Sequence, residues 1–185
     1  MIFRMDFTNA LKSTALNIIK LSEQLPDRTH TWNQEDSAPT HGYTDRAGFV
    51  IYDDIELFAD VYVASNDTTE SKLRTRLAWS PKGVEQDTFT IITLDFKSDA
   101  AKTKKLIDKS DDLDQQDIIS LLNDNETTPD LIHVSLESNV GLDGVNSGKR
   151  YEYAKNDLAN MTEIDKTDFI KTLSQAYDFI VGKIA

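Results

Sequence analysis

Hydrophobic positions recur at spacings of four and three from Phe7 through Leu11, Thr14, Ile18 and Leu21 to Leu25. That spacing draws one stripe on a helix and predicts an amphipathic helix over 6–25. Pro26 ends it, because the pyrrolidine ring cannot continue the helical hydrogen-bond pattern. The stripe spans fewer than three heptads, so it is expected to pack on the domain's own sheet rather than in a coiled coil. The next stretch, 26–46 (PDRTHTWNQEDSAPTHGYTDR), has no period and many turn formers, which predicts a long loop.

Beyond 46 the period changes to two. In 55–63, Ile55, Leu57, Ala59, Val61 and Val63 alternate with Glu56, Phe58, Asp60 and Tyr62. In 72–79, Leu73, Thr75, Leu77 and Trp79 alternate with Lys72, Arg74 and Arg76. Such alternation predicts strands of a sheet that is wet on one side. Flanking strands are predicted near 47–52 and 87–97. The last of these, TFTIITLDF, is apolar at both parities and so is expected at the centre of the sheet.

Helical spacing returns at 99–109, with Ser98 as the expected cap, and at 113–122. A strand follows at 130–137, then a short helix at 150–159 and a long amphipathic helix at 165–184. The order predicts a single α+β domain over 1–185: a mainly antiparallel sheet of about five strands, with N-terminal and C-terminal amphipathic helices packed on it.

Composition narrows the chemistry. The 185 residues include no cysteine, which removes disulfides, thiolate metal sites and cysteine nucleophiles together. No stretch reads as a signal peptide or a membrane span, so the expected setting is the cytoplasm. The net charge is −12, and the segment 98–140 alone contributes −6. A field of that sign repels nucleic acid and anionic membrane and attracts basic surfaces.

The glycine-rich stretch 141–148 (GLDGVNSG), followed by Lys149 and Arg150, comes nearest to a phosphate loop. A Walker A loop would need glycine where Asp143 stands and a hydroxyl where Arg150 stands. The stretch is therefore expected to be a corner joining a strand to a helix. There is no GxSxG, HExxH or SxxK, and the chain contains three histidines in all. His30 and His41, with Glu35 and Asp36 between them, fall in the expected loop, where nothing fixes a ligand geometry. His133, on a predicted strand, reads as a structural residue. No cofactor is expected.

Asp95-Phe96-Lys97 places a carboxylate and an ammonium on one face of a strand. The triplet and the surrounding order of helix, strands, triplet strand, helix and strand resemble the metal-dependent nucleases of the PD-(D/E)xK superfamily. That resemblance implies a Mg²⁺ site at Asp95, with Asp60 or Asp54 as second acid and Lys97 orienting the attacking water. A second such triplet, Glu70-Ser71-Lys72, occurs in a predicted turn, and composition alone predicts about two.

Two further constellations involve charge alone. Lys72, Arg74 and Arg76 with Phe58 and Tyr62 form either a face for single-stranded nucleic acid or one side of a cross-strand ion-pair set with Glu56 and Asp60. From Asp108 to Asp130 the chain holds eight carboxylates (Asp108, Asp111, Asp112, Asp114, Asp117, Asp124, Glu126, Asp130) and one lysine, Lys109. The absence of glycine from 98–140 excludes an EF-hand there. Carboxylates in such a series either solvate the surface or mimic the charge of a nucleic-acid backbone. The leading expectation is a non-enzymatic domain that binds a basic protein partner through this face. A metal-dependent nuclease and a recognition module for a ligand or modified nucleic acid stand as alternatives.

Overall fold

The structure, a computed structural model, describes residues 7–21, 29–36, 43–52, 55–64, 71–79, 89–108, 115–123, 131–138 and 149–184. Between 29 and 64 it describes the backbone. The chain opens with helix α1 (Phe7–Lys20), whose Leu11, Ala15, Ile18 and Ile19 are buried on the expected stripe. Leu25 and Pro26, which were to close that helix, lie outside the described residues.

Five strands follow: β1 (Thr29–Asp36), β2 (Tyr43–Tyr52), β3 (Ile55–Ala64), β4 (Ser71–Trp79) and β5 (Thr90–Lys97). Helices α2 (Ala100–Asp108) and α3 (Gln115–Leu122) precede β6 (Leu131–Ser138) and β7 (Lys149–Ala154). The chain closes with α4 (Lys155–Asn160), α5 (Glu163–Val181) and a 3₁₀ turn, Gly182–Ile184. The strands lie side by side in chain order, and every neighbouring pair is antiparallel. The α+β class is as expected, but the sheet has seven strands rather than about five.

Both extra strands have physical reasons. β1 falls inside the expected loop 26–46 and pairs with β2 from Thr29↔Tyr52 to Asp36↔Asp45. Its sequence, THTWNQED, has β-branched and aromatic residues but no apolar alternation, so the two-residue period that marks the other strands is missing. β7 takes the first half of the expected helix 150–159, and α4 takes the second. There Tyr151 and Tyr153 reach the core while Arg150 and Glu152 stay in water, a two-residue period too short to stand out.

Alternation and register together define two faces. Inward rows run Leu73–Phe96, Thr75–Leu94–Val134–Tyr153 and Leu77–Ile92–Leu136–Tyr151. Helices α1, α2, α3 and α5 cover this side with Ile18, Ile107, Leu122, Phe169 and Leu173 in one continuous core. Phe169 presents its ring to three others at near-perpendicular angles: Phe7, Tyr151 and Tyr153. β5 is buried at every position but Ile91, which is half-buried, and Lys97, which is exposed, as its two-sided apolar pattern required. Among the described residues no helix is long and apolar enough to cross a membrane.

Caps fix the helix starts. Asp99, not Ser98, caps α2: its Oδ1 accepts from the Lys102 N–H at 2.9 Å. Ser98 instead turns inward, with its hydroxyl 2.7 Å from that of Thr103 and 3.0 Å from that of Ser71, joining α2 to β4. Thr162 and Asp165 cap α5 reciprocally at 3.1 Å.

Candidate functional site

The sheet face opposite the helices carries the chain's described ionic network. Register places Asp60, Arg74, Asp95 and His133 in one row across β3, β4, β5 and β6. At its centre Asp95 is 2% exposed. Arg74 grips both carboxylate oxygens, Nε to Oδ1 at 2.9 Å and a terminal nitrogen to Oδ2 at 3.1 Å. Lys72 Nζ stands 3.8 Å from Oδ2.

His133 extends the row toward the sheet's edge. Its Nδ1 is 3.3 Å from Asp95 Oδ2, too oblique for a hydrogen bond but close enough for a charge contact. Its Nε2 is 3.3 Å from Glu152 Oε1, reached diagonally across to β7. Arg150 closes the row on Glu152 Oε2 at 2.7 Å. Charges therefore alternate in sign from Arg74 to Arg150 whenever His133 is protonated.

Burial alone would raise the pKa of Asp95, but the His133 contact and the Arg74 fork outweigh it. The carboxyl lies below its usual value of 3.8. The Asp95 contact is the main cause that lifts His133 above its usual 6.5; burial opposes it and Glu152 adds to it. Desolvating a carboxylate costs several kcal/mol, and the arginine fork with two further cationic neighbours offsets that cost.

Of the proposed nuclease residues, Asp95 belongs to this network. Asp95 gives both oxygens to Arg74, so it would have to exchange that guanidinium for a cation before ligating one. Lys97 is exposed at the end of β5, paired in register with Lys72. Asp60 sits at the register position opposite Arg74, and Asp54 lies outside the described residues. Among the described residues no group of three or more His, Asp or Glu side chains is placed to hold a metal.

Lys72 and Arg74 pair across strands with Asp95 of β5. Of Glu56 and Asp60, the partners expected from the sequence, the backbone on β3 is described. His133, expected as a structural residue, is reached by both Glu152 and Asp95.

Of the acidic segment 108–130, residue 108 and residues 115–123 are described. Asp108 closes α2, 62% exposed, and pairs with Lys104 one turn back at 3.6 Å. Asp117 lies in the first turn of α3, where a negative charge suits the helix dipole. Asp111, Asp112, Asp114, Asp124, Glu126 and Asp130 lie outside the described residues, as does the glycine stretch 141–148. That stretch connects β6 to β7, which are antiparallel neighbours, so it joins strand to strand rather than strand to helix. His30 is on β1, as are Glu35 and Asp36, while His41 lies outside the described residues.

Comparison with family models, with curated proteins and with solved structures found no match for this chain. What the fold and the open face define is a class: an α+β domain of seven antiparallel strands, helices on one side and an ionic ladder on the other.

Proposed function

We propose that the protein is a non-enzymatic binding domain that docks a basic protein partner through the acidic segment 108–130. In its sharper form, it regulates or inhibits a nucleic-acid-handling protein by offering carboxylates where that protein expects phosphates. The setting is cytoplasmic.

The observation that supports this reading is where the charge stands relative to the core. α2 and α3 turn Leu106, Ile107, Ile118, Ile119, Leu121 and Leu122 inward. Asp108 is left exposed where α2 ends, and Asp117 stands where α3 begins, on either side of Asp111, Asp112 and Asp114. The negative charge of this segment is thus anchored to the domain through two buried helix faces. The open sheet face, by contrast, pairs its described acids with cations. The nuclease alternative asks Asp95 to serve as a metal ligand, and the Arg74 fork weighs against it.

A pull-down from nuclease-treated lysate, at low and at high salt, tests the proposal. One stoichiometric basic protein, retained at low salt and lost at high salt, is the expected result. Failure to retain any basic protein, together with Mg²⁺-dependent cleavage of a plasmid, would turn the reading toward the nuclease.

A further inference from the structure

The ionic row reaches the last pair of strands at His133 of β6. Both of its ring nitrogens lie 3.3 Å from a carboxylate oxygen, one on Asp95 of β5 and the other on Glu152 of β7. A neutral imidazole has one N–H and one bare lone pair, so it must turn that lone pair on one of the two acids. An imidazolium keeps an N–H for Glu152 and sets its positive charge beside both carboxylates. We propose that His133 is a proton-operated clasp that fastens the terminal strand β7 to the middle of the sheet.

The surrounding charges decide where loss of the proton is felt. Asp95 keeps Arg74 and Lys72 of β4 beside it whatever the state of His133. Lys97, also on β5, is exposed beyond that pair. On β6 itself Glu137 sits opposite Arg150, and Ala154 directly opposite His133 brings no charge. Glu152 keeps Arg150 of its own strand but loses the positive charge that draws it to β6 and, through the ring, to Asp95. The acid whose hold on its neighbouring strand weakens is therefore Glu152, and the element it belongs to is β7.

β7 is suited to respond. It has six residues and one described neighbour, β6, with Tyr151 and Tyr153 as its anchors in the core. End strands with few contacts open locally at the lowest cost. The fold raises the His133 pKa through the Asp95 contact, against the pull of burial. Folding thus favours the protonated ring. The clasp's contribution is complete below the ordinary value of 6.5 and is lost as pH rises through the raised value.

Amide hydrogen exchange of the whole chain across pH, with the His133 ring followed by NMR, tests this independently of any partner. Corrected for intrinsic rates, β7 protection should fall as His133 loses its proton, by about tenfold for each unit of pKa elevation. Amides of β4 and β5 should hold. Glu152→Gln, at an exposed position, should lower the His133 pKa and flatten the β7 response, and His133→Gln should abolish it. The proposal is overturned if wild-type β7 protection does not change with pH. It is equally overturned if β4 and β5 loosen in step, or if the full response survives in Glu152→Gln.

Discussion

Removing the Arg74 guanidinium would leave a carboxylate that is 2% exposed with His133 and Lys72 as its remaining described cations. Arg74→Ala should therefore destabilise the domain by about 2–3 kcal/mol in urea titrations near neutral pH, a figure reduced for the partial exposure of the arginine. The penalty should depend on pH with a definite sign. Asp95 has a depressed folded pKa, so its contribution is present above the ordinary 3.8 and disappears as pH falls through the lowered value. The cost of Arg74→Ala should shrink over that same acid range, and a penalty constant down to acid unfolding would contradict the assignment. Little of this was legible beforehand. Alternation along 72–79 and 90–97 tells which residues share a face, but not which strand lies beside which, and that neighbour decides Asp95's partner. The triplet Asp95-Phe96-Lys97 thus suggested a metal site, while the fork that occupies Asp95 comes from β4.

Elements with a strong apolar period could be read from the sequence, and those held by pairing or caps could not. α1, α5 and the strands β4 to β6 each repeat a buried stripe that the chain displays openly. β1 has no apolar alternation in its sequence, and β7 has two inward residues among those described, so neither leaves such a mark. The α2 cap was misplaced by one residue because Ser98 and Asp99 are both good caps. The buried Thr103 hydroxyl claims Ser98. Asp99→Ala should cost about 1 kcal/mol. Phe169→Ala, which removes the ring shared by α1, β7 and α5, should cost about 3–5 kcal/mol by thermal or urea unfolding. A loss below that of Asp99→Ala would mean that Phe169 does not join these elements.

At the scale of the whole molecule, charge is unevenly disposed: half of the net −12 belongs to 98–140. The described part of the open sheet face balances its acids against arginine, lysine and histidine. Composition displayed the excess, and the fold adds that α2 and α3, which carry Asp108 and Asp117, are anchored by buried side chains. The most direct measurement is the affinity and the unfolding curve of one variant in which Asp111, Asp112, Asp114 and Asp117 are all changed to lysine. Only Asp117 carries a described structural role, a favourable position at the start of α3 that is ordinarily worth about 0.5 kcal/mol. The account predicts nearly unchanged unfolding and loss of the captured basic partner at low salt. Unchanged affinity in a folded variant would contradict it.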